Sequence, residues 1–96
     1  MEYSLSTDHI TITPHDQELL DKKLAKLEKL VHQPYTMSIR FRHDTHHRTG
    51  EVVTCLINIG QGRRVFHAER SEDSIQTALD EVIDALKSEL HKAHRK

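Results

Sequence analysis

The period of the apolar residues changes three times along this 96-residue chain, and those changes set the order of its elements. Tyr3, Leu5, Ile10 and Ile12 alternate with polar residues, the pattern of a half-buried strand, with an interruption near Asp8-His9. Leu20, Leu24, Leu27 and Val31 then recur at spacings of four, three and four. On a helix turning about 100° per residue they share about 60° of arc. Thr13 suits an N-cap, Pro14 a first helical residue, and Asp16 and Glu18 a positive first turn. Pro34 blocks continuation past about His32.

Met37, Ile39 and Phe41 return to alternation, which places Arg40 and Arg42 on the open face of a second strand. His43 to Gly50 reads as a polar connection, and Val53, Cys55, Ile57 and Ile59 as the inner face of a third strand. Gly60-Gln61-Gly62 marks a tight turn, and Arg64 to Arg70 a short edge strand with mixed faces. Ser71-Glu72-Asp73-Ser74 offers caps for a second helix. Its stripe of Ile75, Leu79, Val82, Ile83, Leu86 and Leu90 carries it to about His91 or beyond. The expected fold class is α+β, in the order β-α-β-β-β-α. Two amphipathic helices cover one face of a four-stranded sheet and leave the other open. The length suits one domain over residues 1–96. No apolar run approaches the roughly 20 residues of a membrane span, and no signal-peptide pattern opens the chain. The single cysteine, Cys55, excludes a disulfide framework and a cysteine-based zinc site and suits the cytoplasm.

The formal charge of −1 argues at first sight against a nucleic-acid partner, but it hides segregation. Residues 1–21 carry −5, 22–48 carry +5, 49–71 carry +1, 72–84 carry −5 and 85–96 carry +3. The local field matters more to a polyanion than the total does. On the first helix Lys22, Lys23, Lys26 and Lys29 occupy one flank of the apolar stripe. This row reads either as a set of phosphate contacts or as a solvated lysine face. Arg40 and Arg42, with Lys87, Lys92 and Arg95 late in the second helix, add bases whose common surface is not legible in sequence. Nine histidines, ordinarily titrating near pH 6.5, would raise any affinity for anions as pH falls.

Catalytic constellations are missing. Cys55 lies on an apolar strand face and reads as a buried hydrophobe rather than a nucleophile. His43, Asp44, His46 and His47 are metal-ligating residue types in a connection without a preorganised cage. His91 and His94, three apart on a helix, would chelate only weakly. No carboxylate pair, Ser-His-Asp set or phosphate-cradling glycine motif stands out. The expectation is a protein that is not an enzyme and has no metal and no cofactor.

Three segments then carry a resemblance: Ile10-Thr11-Ile12-Thr13-Pro14, Lys23-Leu24-Ala25-Lys26-Leu27-Glu28-Lys29, and Thr77 to Leu86 with Leu90 and Lys92. In order and spacing they resemble the ribosome hibernation promoting factor family. That family includes the ribosome-associated inhibitor called protein Y, and its members are also described as sigma modulation proteins. The resemblance implies the β-α-β-β-β-α fold, similar to double-stranded-RNA-binding domains. It implies binding to small-subunit rRNA near the decoding region, occupancy of the tRNA and mRNA sites, and inhibition of translation under stress. The implied partner is the small ribosomal subunit, with no membrane or small-molecule substrate and a monomer off the ribosome. Lys22, Lys23, Lys26 and Lys29 match the family's basic positions on helix one, and Lys92 matches a late base on helix two. The chain resembles the short form, without the C-terminal ribosome-pairing domain of long members.

Two departures stand on helix two. Ala85 and Ser88 occupy positions where the family usually has Lys and Arg, and Ser74-Ile75-Gln76 replaces an Asp-x-Tyr. They weaken that half of the RNA surface and motivate an alternative, a protein-interaction module of the same fold that has lost the ribosome. A third reading is a metal-responsive module through His43, His46 and His47.

Overall fold

A computed structural model describes residues 3–47 and 50–94, with side chains described for all of these except 45–47, 50 and 51. The element order is β1 (Ser4–Asp8), α1 (Pro14–Glu28), β2 (Tyr35–His47), β3 (Gly50–Gln61), β4 (Arg64–Glu72) and α2 (Ile75–Ala93). The strands lie in the order β1-β2-β3-β4. β1 pairs parallel with β2 across α1, whereas β2, β3 and β4 form an antiparallel meander. This is the expected α+β order, in a mixed sheet.

Alternation decides which face the helices cover. Met37, Ile39 and Phe41 of β2, Val53, Cys55, Ile57 and Ile59 of β3, and Phe66 and Ala68 of β4 are all buried. Against them lie Leu20, Leu24 and Leu27 of α1 and Ala78, Leu79, Val82, Ile83, Leu86 and Leu90 of α2. Every one of the six positions named for the α2 stripe is thereby accounted for, with Ile75 partly buried at the rim. The molecule measures 43 × 27 × 19 Å, and its smallest extent matches one helix layer on one sheet. No helix among the described residues is long and apolar enough to cross a membrane.

Four boundaries differ from the sequence reading. β1 stops at Asp8 because His9 takes a left-handed φ of 58°, which turns the chain out of the sheet. Ile10 and Ile12 therefore pack against the core from the connection to α1 instead of extending the strand. α1 begins as expected, with a reciprocal capping box: Thr13 Oγ1 accepts from the Asp16 N–H, and Asp16 Oδ2 accepts from the Thr13 N–H, both at 3.1 Å. It ends at Glu28, short of His32. There the Leu30 N–H bonds back to Leu27 O at 2.9 Å, tightening the last turn. Val31 is still buried, so the apolar spacing outlasts the helix that suggested it.

The polar connection expected at His43 to Gly50 is largely strand. His43 pairs with Val53 and Asp44 with Val52, before a register shift between Asp44 and His47. Backbone pairing to the apolar Val52-Val53 extends the hairpin through side chains that carry no strand pattern. β4 runs on to Glu72, and its mixed appearance resolves into one buried face, since Val65 on the other is 70% exposed.

Candidate nucleic-acid interface

α1 presents three flanks. The apolar stripe enters the core. The acidic flank faces the β1 edge, where Tyr3 Oη donates to Asp21 Oδ1 at 2.8 Å and Gln17 Nε2 donates to Tyr3 Oη. Burial, then the Asp21 carboxylate, pushes the Tyr3 pKa up. The basic flank faces α2, which packs beside α1 and over β3 and β4.

The four lysines of that flank are not equivalent. Lys22, Lys26 and Lys29 are exposed. Lys23 is half-buried and forms an ion pair with Asp80 of α2. The pair also reports the helix directions. Lys23 meets Asp80 partway along both elements, and His32, just past α1, stacks on His94 at the end of α2. The helices are therefore parallel, with both C-terminal ends together.

Parallel packing sorts the charge along the helix layer. The N-terminal halves carry Asp16, Glu18 and Asp21 on α1 and Asp80, Glu81 and Asp84 on α2. At that end Glu81, by a hydrogen bond and by its charge, holds the Glu72 carboxyl above its ordinary pKa. The C-terminal halves carry the bases. Lys87 is seven residues beyond Asp80 and so shares the edge of α2 that faces α1. Lys92 is exposed and turned about 140° from Lys87 around the helix. Arg95 lies outside the described residues. Ala85 packs against the core while Gln76 and Ser88 are exposed, so the departures named above alter the outer surface of α2 at Gln76 near its start and at Ser88 near its end.

Arg40 and Arg42 alternate with the buried residues of β2 and project from the far side of the sheet. Arg40 is bound there to Asp8 of β1, its Nε donating to Asp8 Oδ2 at 2.9 Å. The eight described bases among the nine named from sequence thus divide between two faces. Lys22, Lys23, Lys26, Lys29, Lys87 and Lys92 belong to the helix layer, and Arg40 and Arg42 to the open sheet.

The structure also brings in residues that sequence reasoning did not place at the site. His32, Arg64, His91 and His94 gather where α1 and α2 end. The Arg64 guanidinium donates to Ala93 O at 3.1 Å, satisfying a terminal carbonyl of α2. The His91/His94 spacing was visible in sequence; the meeting of α1's end with α2's end depends on tertiary packing. Among the described residues no three His, Cys, Asp or Glu side chains are placed to hold a metal. The side chains of His46 and His47 lie outside the described residues.

The fold has solved counterparts. The Thermus thermophilus Protein Y N-terminal domain superimposes with a TM-score of 0.80 at 16% identity, covering 96% of this chain and 97% of its own. A ribosomal subunit interface protein from Coxiella burnetii gives 0.79 at 18% identity, with both chains covered completely. No curated protein matches the chain closely enough to count as a relative. A family model does match, over residues 3–96. That span takes in both helices, all four strands and the lysine row, and the chain belongs to the family described as Sigma 54 modulation protein / S30EA ribosomal protein.

Proposed function

We infer that this chain is a non-enzymatic, cytoplasmic ribosome-associated factor that binds small-subunit rRNA through the basic half of its helix layer. By occupying the tRNA and mRNA sites near the decoding region it inhibits translation under stress. The observation that carries the reading is the exposed row Lys22, Lys26 and Lys29, on a fold of this family, beside Lys87 and the basic end of α2. The two solved counterparts, a Protein Y domain and a ribosomal subunit interface protein, support the same partner. Binding is electrostatic. Each lysine that neutralises a phosphate releases counterions, and the shape of the layer, rather than base reading, sets the register. Arg40 and Arg42 face away from this footprint.

Co-sedimentation with purified small subunits across a salt series tests the reading. The folded protein should pellet at low salt and be released as salt rises. Replacing Lys22, Lys26 and Lys29 by Ala should flatten the logarithmic salt slope by up to about three, one for each lost phosphate contact. A folded protein that stays in the supernatant at low salt overturns the proposal. Exposed Ser88 favours a second reading, a protein-interaction module, which a pull-down enriched in one protein and free of rRNA would establish.

A further inference from the structure

The C-terminal ends of α1 and α2 are joined by a hydrogen-bond network that specifies a protonation state. The His32 and His94 rings stack with centroids 3.9 Å apart and planes 6° from parallel. Gln61, at the end of β3, bridges the same two residues. Its Oε1 accepts from the His32 backbone N–H at 2.6 Å, and its Nε2 lies 3.1 Å from His94 Nε2. The backbone N–H can only donate, so the amide oxygen must face it. The amide NH2 then faces His94 and donates in turn, which requires an unprotonated Nε2. The network therefore holds His94 neutral, with its proton on Nδ1. A proton added to Nε2 breaks the bond to Gln61 and sets a charge against the stacked His32.

The charged groups acting on His94 come from three elements. They are His32 after α1, Arg64 of β4 and His91 of α2, and all three are basic. Burial first, then these three charges, holds the His94 pKa below its ordinary value of 6.5. Ser88, His91, Lys92 and His94 line one hollow on the outer side of this end. Among the described residues none of the charged groups acting on His94 is an anion, and protonation would increase the demand for one.

We propose that this end of the helix pair is a proton-linked phosphate site, in which His94 gains a proton as a phosphate group docks among His32, Arg64, His91 and Lys92. The proposal rests on the rRNA reading above and deepens it: the phosphate is one of the RNA backbone. A bound phosphate favours the imidazolium, so binding and proton uptake are linked. Affinity is lowest when His94 is neutral in both states. It rises as pH falls through the raised pKa of the bound state, and levels off below the lowered pKa of the free state. One linked proton gives at most about a tenfold gain per pH unit in that window.

The test is a histidine-ring NMR titration of the full chain between about pH 5 and 8. It is run with inorganic phosphate, with chloride at equal ionic strength, and with a duplex RNA oligonucleotide whose affinity is measured at each pH. His94 should titrate higher in phosphate than in chloride, and higher again with RNA. His94→Gln, which keeps an acceptor for Gln61, should remove the His94 part of the pH dependence of RNA affinity, whereas His15→Gln on α1 should retain it. A His94 pKa indifferent to phosphate and RNA, or an unchanged pH dependence in His94→Gln, overturns the inference. RNA binding with no pH dependence overturns it too while leaving the ribosome reading standing. A phosphate-shifted His94 in a protein that never pellets with small subunits does the reverse.

Discussion

Cys55 shows what one residue's position decides. It sits on the inner face of β3 with no accessible surface, between Thr54 and Leu56, which point to the outer side of the sheet. Burial pushes its thiol pKa up to about 12. The thiolate is the reactive form, so the native protein should resist alkylation at pH 8, and iodoacetamide should label Cys55 only in denaturant. Rapid labelling of the folded protein, followed by mass spectrometry, would show that β3 is open to solvent. This placement was legible in sequence because strand alternation assigns a face without reference to other elements. Lys23 was not legible in the same way. On a helical wheel it belongs to the row of Lys22, Lys26 and Lys29, and only the position of α2 shows that it is half-buried against Asp80. Arg40 is a parallel case: its face followed from alternation, while its partner Asp8 depends on the parallel pairing of β1 with β2.

The elements explain why those partners matter. α2 carries its acids, Asp80, Glu81 and Asp84, ahead of its bases, and Asp80 reaches across to the middle of α1. The Lys23–Asp80 pair is largely solvated on the Asp80 side, so its stabilisation is under about 1 kcal/mol. Its larger effect is to hold one cation away from any docked phosphate. Asp80→Asn should therefore unfold at nearly the same denaturant concentration as the parent, measured by circular dichroism. In co-sedimentation it should bind small subunits more tightly, with a salt slope steeper by up to about one. An unchanged slope would mean that Lys23 does not reach RNA even when released. Element existence and order were legible from apolar period alone, and both N-caps stood in the sequence: Thr13 accepts from Asp16 N–H and Ser74 from Thr77 N–H. The ends were harder. α1 stops before its apolar stripe does, and β2 continues past its own pattern because β3 offers a pairing partner. In both places tertiary contacts override the local period.

At the scale of the whole molecule the charge blocks acquire a geometry. The blocks of −5, +5, −5 and +3 follow the helices in part: α1 carries Asp16, Glu18 and Asp21 ahead of Lys22, Lys23 and Lys26, and α2 carries Asp80, Glu81 and Asp84 ahead of Lys87 and Lys92, while Arg40 and Arg42 of the +5 block lie on β2. α1 follows the rule that acids suit a helix N-terminus and bases its C-terminus, with Asp16 in the first turn and Lys26 in the last, whereas α2 follows it only at its C-terminal end, with His91 and Lys92. Parallel packing then adds the two gradients, so a chain of net charge −1 carries one basic end on one face. The parallel direction was not written in any single segment; it follows from pairing β1 with β2 across α1 and from returning α2 over β4. The same layering separates the remaining bases. Arg40 and Arg42 lie beyond the sheet, and the 19 Å thickness of the molecule stands between them and the outer surface of the helices. A flat RNA surface cannot meet both faces of such a slab at once. If the helix layer is the footprint, Arg40→Ala with Arg42→Ala should leave the salt slope for small-subunit binding unchanged. The triple lysine variant in the same assay should flatten it by up to about three. Loss of about two units in the arginine variant would instead place the sheet face against RNA, and would turn the proposed orientation of the whole domain over.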